Sequence, residues 1–473
     1  MQKSSLFFWS ITVALGGFLF GFDTAVISGA EQAIEQVWQL NAAEHGLAIA
    51  MALYGTVIGA MLGGRPADRF GRKLTLFWIG IFYLVSALGS ALAPELYSFM
   101  FFRFLGGLGV GASSVVAPMY ISEIAPADRR GRLVALFQFN IVLGIVVAYV
   151  SNYFLAEQGL DWRWMLGVET IPALFFALMV THVPRSPRWL FLHQNDLKEA
   201  RQVLFRIDPD SVDQRLHDLR TYLQQNQNQR VSLRYFFSRV LRRPILLAFL
   251  FAFFNQLSGI NTIIYYAPRI FELTGVASEN ALLSATLIGL VNLVFTMVGL
   301  ALIDAIGRRT LMLIGSLGLI TTLALVAHTF LSAPVDLSTI ENLEAFLSSL
   351  TPAEATALRS AYDGVVWYLC GFIAFFALSQ GAVIWVFIAE IFPNEIRGVG
   401  QSFGSLTHWV LAALITNYFP LALARVGGGP IFAFFAVMMG LQLLYVIFLM
   451  PETKGKTLEE LGLSVTQGAA IKT

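Results

Sequence analysis

Cysteine and charge are scarce in this sequence. Its one cysteine, Cys370, can form no disulfide within the chain and cannot supply a cluster of thiolates for a metal. Charged residues make up 13% of the 473 positions, about half of the roughly 25% that is usual in soluble domains. The formal net charge of +1 leaves no electrostatic footprint for nucleic acid. We therefore expect neither a large soluble core, nor a disulfide scaffold, nor a nucleic-acid-binding protein.

Patterns of catalytic residues are also missing. The six histidines are scattered, and we find no nucleophile–base group, metal-ligand spacing or phosphate-binding loop. We therefore expect no enzyme, no metal site and no cofactor. There is no N-x-[ST] sequon, and the first apolar stretch has no small-residue cleavage site, so we interpret it as a retained span and not as a signal peptide.

Apolar residues make up 56% of the chain, and they are concentrated in stretches of membrane-crossing length. A window of about 20 residues predicts twelve spans. We place them near 7–28, 46–64, 74–93, 97–119, 131–154, 164–183, 244–266, 280–303, 310–331, 364–388, 399–423 and 430–450.

The distribution of Lys and Arg predicts the orientation. Most of these 31 residues fall in the termini and in the loops on the same side of the predicted membrane. The opposite loops hold only Arg163, Arg269, Arg359 and Arg425. The positive-inside rule then places both termini in the cytoplasm.

The two halves of the chain repeat one another, which predicts a duplicated six-span unit. The segment DRFGRK at 68–73 is matched by DAIGRR at 304–309, and EIAP at 123–126 is matched by EIFP at 390–393. We predict a six-helix bundle over 1–183, a cytoplasmic linker with short amphipathic helices over 184–243, a second bundle over 244–450 with an external insertion at 332–363, and a cytoplasmic tail over 451–473. A disordered linker is the alternative for 184–243.

Repeated acidic and basic residues lie at the cytoplasmic ends of the spans. We predict that they form a charge network that acts as a latch when that face closes. The alternative is that they only set topology and cap helices. The predicted network comprises Asp68, Arg72, Glu123, Arg130, Glu169, Asp304, Arg308, Glu390, Arg397 and Glu452. Within it, we expect the membrane-embedded Glu169 to pair with a cytoplasmic arginine.

One predicted span is unusually polar. The stretch 251–268 reads FAFFNQLSGINTIIYYAP, and its polar groups need a polar neighbour, water or a ligand inside the membrane. On a straight helix, one polar stripe would be formed by Asn255, Ser258, Thr262, Tyr265 and Tyr266. Gln256 and Asn261 would flank this stripe on opposite sides. They can meet one ligand only if the helix departs from straight near Gly259.

Seven motifs together resemble the sugar porter family of the major facilitator superfamily, and the likeness covers nearly the whole chain. They are GGRPADRFGRK (63–73), YISEIAPADRRGR (120–132), VPRSPRWL (183–190), NQLSGIN (255–261), YYAP (265–268), EIFPNEIRG (390–398) and PETKGKT (451–457). The resemblance implies an all-α membrane protein with twelve transmembrane helices in two pseudo-symmetric bundles. It also implies a monosaccharide transporter that works by alternating access, with its site enclosed by spans 1, 4, 5, 7, 8, 10 and 11.

Family positions imply the sugar contacts. Neutral amides suit sugar hydroxyls because both donate and accept hydrogen bonds, and a flat aromatic suits the C–H face of the ring. The alternative for each residue is helix–helix bonding or packing. The implied contacts are Gln138, Gln256, Asn261, Tyr265, Asn292, Trp385 and Trp409.

The chain departs from the family pattern at three positions. Asn255 replaces the first glutamine of a usual pair, and His408 stands where the family often has an amide. We include both among the predicted sugar-binding residues, and His408 could add pH dependence. Arg185 stands where related motifs hold glutamate, which removes one acid from the charge network.

Asp23 and Arg103 are charged residues within the spans of the first half. An unpaired charge at the bilayer centre costs at least about 2.5–3.5 kcal/mol, so we predict that they pair. Bacterial proton-coupled sugar porters resemble this chain in having an acid at the position of Asp23. We therefore expect protonation of Asp23 to couple proton and sugar transport; a structural ion pair without coupling is the alternative.

The predicted function is therefore monosaccharide–proton symport by a monomer in a bilayer, most consistent with a bacterial inner membrane. Uncoupled facilitative uniport is the alternative within the transporter class. A non-transporting sugar receptor is the alternative from another class, and such receptors are expected to carry a longer tail than the residues that follow Met450.

Overall fold

The computed structural model describes nearly all of the chain and is built of helices. The described residues are 2–126, 129–194, 196–209, 212–217, 221, 233–276, 278–337, 340, 345–346, 349–362, 364–393 and 396–455. No strand is found among these residues.

Twelve of the helices are long and apolar enough to cross a membrane, which confirms the predicted number of spans. Their mean hydropathy lies between 1.4 and 2.3, and we number them spans 1 to 12. In order they are Ser5–Gly29, Ala42–Leu62, Arg72–Leu92, Leu96–Ile124, Gly131–Glu157, Trp162–Val180, Arg239–Tyr265, Asn280–Ile306, Arg308–Ser332, Val365–Ile391, Arg397–Val426 and Gly428–Phe448.

Shorter helices connect the spans. Those most relevant here are Glu31–Val37, Gly64–Phe70, Leu197–Ile207, Ala267–Glu272 and Pro352–Ala361. The helix Leu197–Ile207 begins where Asp196 accepts a hydrogen bond from the backbone N–H of Glu199, at 2.9 Å. It buries one apolar face, formed by Ala200, Val203, Leu204 and Ile207. Most of 218–232 lies outside the described residues.

The chain packs into two compact units. Unit 1 comprises Met1–Thr24, Met51–Ala148 and Arg163–Arg230; unit 2 comprises Ala25–Ala50, Tyr149–Trp162 and Val231–Thr473. The last residues of span 1 and the first residues of span 2 therefore belong to unit 2. Because this division follows packing and not chain order, the predicted sequence boundaries of the bundles stay a prediction.

Glycines let spans 2 and 4 approach closely within unit 1. A Cβ on Gly107 would lie 1.9 Å from the carbonyl oxygen of Ala52, and one on Gly111 would lie 2.2 Å from that of Thr56. Small residues at such contacts let helix backbones meet when no hydrophobic effect drives association in lipid. The glycine-rich run of span 4 thus fixes how this unit packs.

Candidate functional site

Span 7 is broken at the position that the sequence predicts. The helix Arg242–Leu257 stops, Gly259 adopts a left-handed conformation with φ of 82°, and a short helix Ile260–Tyr265 follows. A Cβ on Gly259 would lie 2.5 Å from the ring of Phe435. Both the backbone angle and the packing therefore require glycine here.

The break brings Gln256 and Asn261 together. The Nδ2 of Asn261 donates to Oε1 of Gln256 at 2.7 Å, and Nε2 of Gln256 donates to Oδ1 of Asn255 at 2.9 Å. The same Nε2 lies 3.1 Å from both ring nitrogens of His408 on span 11. We call Asn255, Gln256, Asn261 and His408 the amide cluster. Asn255, Gln256 and His408 are buried and Asn261 is half-buried, so the buried polar groups need the hydrogen bonds that they make within the cluster.

Two tryptophans adjoin the amide cluster. The ring centroid of Trp385 lies 5.0 Å from that of His408. The ring centroid of Trp409 lies 4.7 Å from that of His408, and these two rings meet edge to face. Trp385 follows a π-helical turn at Ala377–Gly381 and is 39% exposed, whereas Trp409 is buried. An aromatic face with accessible surface thus stands beside a set of neutral donors and acceptors.

Tyr265, Asn292 and Gln138 are the remaining predicted sugar contacts. Tyr265 is buried at the end of the short helix Ile260–Tyr265. Asn292 on span 8 accepts a hydrogen bond from Thr296 in its own helix at 3.3 Å. Gln138 lies on span 5 in unit 1, where it is half-buried.

Asp23 and Arg103 form an ion pair inside unit 1, which confirms the predicted pairing. The Nη1 of Arg103 donates to Oδ1 of Asp23, and Nη2 donates to the backbone carbonyl of Asp23 at 3.2 Å. Both side chains are at least 97% buried. Gly106 leaves room beside them, since a Cβ there would lie 2.3 Å from Oγ of Ser86.

The predicted pairing of Glu169 with a cytoplasmic arginine is wrong. Among the ion pairs of the described residues none includes Glu169, and its buried Oε1 has no hydrogen-bond partner. Glu169 lies on span 6 in unit 1, within electrostatic range of Asp23 and Arg103.

The ion pairs between spans 2 and 3 of unit 1 centre on Arg72. Its Nη2 lies 3.0 Å from Glu123 Oε1, and its Nη1 lies 3.1 Å from Asp68. Ser186 donates to the other oxygen of Glu123. The backbone bends at Gly71, where φ is 92°, just before span 3 begins.

Unit 2 repeats this arrangement around Arg308. Its Nη2 lies 2.8 Å from Glu390, and its Nη1 lies 2.8 Å from Asp304. Thr453 donates to the other oxygen of Glu390 at 2.6 Å, as Ser186 does for Glu123. Gly307 has φ of 91°, so the sequence repeat is also a geometric one.

The two repeats differ at one position. Glu452 accepts hydrogen bonds from the backbone N–H groups of Arg308 and Arg309, both at 3.0 Å. The matching position in unit 1 is Arg185, whose exposed guanidinium lies 3.4 Å from the half-buried Glu199. The side chain of the predicted network member Arg130 lies outside the described residues, and Arg397 begins span 11.

Sequence reasoning missed a second group of charges. Arg269, just after span 7, lies 2.7 Å from Glu35 and 3.2 Å from Glu31, and His45 adjoins them. We call these four residues the outer ion cluster. Burial opposes ionisation of Glu31, but Arg269 and His45 together hold its pKa below the ordinary value of 4.5. Burial likewise opposes the charge of Arg269, and Glu31 and Glu35 raise its pKa.

The only sequence signal for this cluster was the spacing of Glu31 and Glu35, four residues apart on one helix face. The sequence identifies Arg269 only as a cation of a predicted outside loop. Nothing in the chain order brings the three segments together.

Comparison with known proteins places this architecture in a family. The family model described as sugar (and other) transporter matches residues 9–463. The glucose transport protein of Synechocystis sp. is 34% identical over 465 residues, which cover 95% of each chain. The D-xylose-proton symporter of Escherichia coli K12 is 33% identical, covering 97% of this chain and 96% of the relative. A structure of the xylose transporter XylE from E. coli in a partially occluded inward-open conformation matches with a TM-score of 0.79 and 29% identity, over 96% of this chain and 100% of that one.

Proposed function

This chain belongs to the sugar transporter family of the major facilitator superfamily, a family of multi-pass membrane proteins and not of enzymes, and we propose that it moves a monosaccharide together with a proton. Alternating access between the two sides of the membrane carries the substrate. The observation that carries the sugar part of this proposal is the amide cluster beside Trp385, because it combines neutral donors and acceptors with an aromatic face.

In the proposed complex, hydrogen bonds to sugar hydroxyls replace hydrogen bonds within the amide cluster. Each hydroxyl donates and accepts, as the amides of Gln256, Asn261 and Asn255 do, so a hydroxyl can replace a cluster bond without leaving a buried group unpaired. The C–H face of the sugar packs on Trp385. The proposed sugar site also includes Gln138, Tyr265, Asn292, His408 and Trp409. A panel of hexoses and pentoses tested by calorimetry on purified protein identifies the sugar.

The Asp23–Arg103 pair carries the proposed proton coupling. Both groups are buried, and neutralising one leaves the other charge without compensation, which is costly inside a membrane. Protonation of Asp23 weakens its bond to Arg103 and shifts the equilibrium between the two transport states. Glu169 adjoins this pair as a further acid within electrostatic range.

Substituting Asp23→Asn tests the coupling. We expect proton-driven accumulation of sugar in proteoliposomes to be lost, while counterflow exchange persists. Asp196→Asn makes the same chemical change at a helix cap, where asparagine also serves, and should leave both activities intact. Full accumulation by Asp23→Asn would contradict the proposal.

Uncoupled uniport is the second candidate, because relatives of this chain include proteins named only as glucose transporters. Alkalinisation of a weakly buffered medium upon addition of sugar supports symport, and its absence during measurable uptake supports uniport. Counterflow by the purified protein excludes a receptor that does not transport.

We further propose that the protein acts as a monomer in a bacterial inner membrane with both termini in the cytoplasm. The cytoplasmic network then comprises Asp68, Arg72 and Glu123 in unit 1 and Asp304, Arg308, Glu390 and Glu452 in unit 2, with Arg130 and Arg397 as further members. These groups act as latches whose release accompanies opening on that side.

A further inference from the structure

The outer ion cluster lies at the far end of the broken span 7 from the cytoplasmic network. The Nη1 of Arg269 donates to Oε2 of Glu35 at 2.7 Å and to Oε2 of Glu31 at 3.2 Å, and it lies 3.3 Å from Nδ1 of His45. The Nε2 of His45 is 2.8 Å from Oε2 of Glu31. One carboxylate oxygen each of Glu31 and Glu35 and one ring nitrogen of His45 lie within 4.8 Å of one another. Arg269 supplies the positive charge that compensates the two carboxylates.

The cluster joins three segments of unit 2. Glu31 and Glu35 lie on the helix after span 1, His45 lies near the start of span 2, and Arg269 lies on the helix Ala267–Glu272 after span 7. Glu31 and His45 are fully buried, whereas the side chains of Glu35 and Arg269 are about one quarter exposed. One guanidinium therefore holds three elements of the unit together.

The segment that Arg269 holds is short and interrupted at both ends. The helix Ile260–Tyr265 has six residues, with the left-handed Gly259 before it and Tyr266 at φ of −117° after it. A helix this short has little stability of its own, so its position depends on what its ends contact. It carries Asn261 and Tyr265, two residues of the proposed sugar site.

Neighbouring contacts fasten the same segment. Tyr266 packs edge-on against His45 with the ring centroids 6.0 Å apart, and its hydroxyl donates to the carbonyl of Thr416 at 3.2 Å. The hydroxyl of Tyr149 donates to the carbonyl of Ile264 at 2.7 Å. Unlike these contacts of Tyr266 and Tyr149, the contacts of Arg269 with Glu31 and Glu35 join opposite charges. A substitution that removes the charge of Arg269 therefore removes both ion pairs and leaves the tyrosine contacts in place.

We propose that Arg269 is a positioning residue for transport, whose outer ion cluster fastens the outer part of span 7 to the ends of spans 1 and 2 and must part before sugar enters from that side. Parting is all-or-none because the buried Glu31 cannot stay charged in place without its partner. The proposal rests on the proposed transport function.

The cluster is distinct from the proposed proton site. The groups that face His45 are Glu31, Glu35, Arg269 and Tyr266, and Arg269 helps to hold the pKa of Glu31 below its ordinary value. Opening of the cluster by movement of whole elements therefore does not require Glu31 to take up a proton at neutral pH.

Cysteine accessibility tests the proposal directly. Ser28 is 2% exposed, three residues before Glu31, and Ser28→Cys in a Cys370→Ser background gives one reporter thiol. Arg269→Gln should raise its labelling by a membrane-impermeant maleimide on the order of tenfold, the scale of a typical coupling between two states. Arg269→Lys should restore most of the protection, since it keeps the positive charge.

Arg425→Gln is the matched control. Arg425 is exposed at the end of span 11 and makes no ion pair within the described part of the chain, so the same change there should leave labelling unchanged. The double variant Glu31→Gln, Glu35→Gln should reproduce the increase if it folds as judged by its melting temperature. Unchanged labelling in Arg269→Gln would overturn the proposal.

Transport kinetics separate a latch from a general defect. Arg269→Gln removes the ion pairs of the outer ion cluster, so the state that accepts external sugar becomes more populated. We therefore expect the turnover number for uptake to fall several-fold and KM for external sugar not to rise. A raised KM with unchanged labelling would instead mean that Arg269 only supports the binding site. Labelling needs no transport, so it still tests the latch if sugar transport itself is disproved.

Discussion

At the residue scale, Gln256 is the centre of the amide cluster. Its Oε1 accepts from Asn261, and its Nε2 donates to Asn255 and faces His408. One amide therefore connects both sides of the helix break to span 11. A shorter or apolar side chain at this position leaves three buried groups to find new partners.

We expect Gln256→Ala to raise the dissociation constant for sugar by about 10- to 100-fold, because unpaired buried groups cost about 1–3 kcal/mol and 1.4 kcal/mol is tenfold. Isothermal titration calorimetry measures this change. Gln401→Ala, on the exposed face of span 11, should bind sugar as the unmodified protein does. Equal affinities in the two variants would argue against a sugar site at the amide cluster.

Acidification should open the outer ion cluster only at low pH. The pKa of Glu31 is below its ordinary 4.5, so its ionised pairing contributes stability that is fully present above that value and is lost as the pH falls through the lowered pKa. Labelling of Ser28→Cys by a thiosulfonate reagent, normalised to denatured protein at each pH, should stay flat from about pH 8 to 5.5. A steep rise between pH 7 and 6 would show that another group controls the cluster.

At the element scale, interruptions place the functional groups of the long helices. Span 7 bends at Gly259, and span 10 has a π-helical turn at Ala377–Gly381 just before Trp385. Such irregularities are tolerated in membrane helices where side chains or cavities satisfy the freed backbone groups. On a straight helix these side chains would point in different directions. The break in span 7 instead brings Gln256 and Asn261 together in the amide cluster.

Gly259→Ala should destabilise the protein by about 2–4 kcal/mol, since it adds a left-handed alanine and a Cβ 2.5 Å from Phe435. The melting temperature should fall, and sugar binding should weaken in the surviving folded protein. Gly440→Ala, on span 12 where no atom lies within 4 Å of the added Cβ, should be neutral or stabilising by up to about 1 kcal/mol. Similar melting temperatures would contradict the packing argument.

The broken symmetry at Arg185 can be repaired. Arg185→Glu should place a carboxylate where unit 1 can copy the contact of Glu452 with the start of span 9, adding about 0.5–1 kcal/mol near a helix N-terminus. Arg185→Gln loses the same exposed pair with Glu199 without adding a charge. The Arg185→Glu variant should have a higher melting temperature than the Arg185→Gln variant. A lower melting temperature for Arg185→Glu would show that the two repeats are not equivalent at this position.

At the scale of the whole molecule, each unit carries one copy of the duplicated charge cluster. Arg72 with Glu123 and Arg308 with Glu390 occupy matching places after spans 2 and 8. The basic helix Leu197–Ile207 follows span 6 in unit 1. The high content of Lys and Arg in these segments predicts that they are cytoplasmic.

Reporter fusions test this orientation. A fluorescent protein fused after Thr473 should fluoresce, and alkaline phosphatase fused after Pro352, in the insertion between spans 9 and 10, should be active. Inserted phosphatase at Gln194 serves as the cytoplasmic control and should be inactive. The opposite pattern would invert the proposed membrane topology and place the outer ion cluster inside.

The sequence by itself determined the number of spans, the internal repeat and the break of span 7. These features depend on neighbouring residues: apolar stretches of about 20 residues, recurring motifs, and the glycine between Gln256 and Asn261. The Asp23–Arg103 pair was predictable too, because a charge in hydrocarbon needs a partner and these were the opposite charges at hand.

Only the tertiary structure decided which distant groups meet. It placed Glu169 within electrostatic range of Asp23 and Arg103, placed His408 against Gln256, and brought Arg269 between Glu31 and Glu35. These partners are more than 60 residues apart in the sequence, and no local periodicity predicts contacts over such separations. Helix rotation and tilt, fixed by packing of the whole bundle, determine which side of each span faces its neighbours.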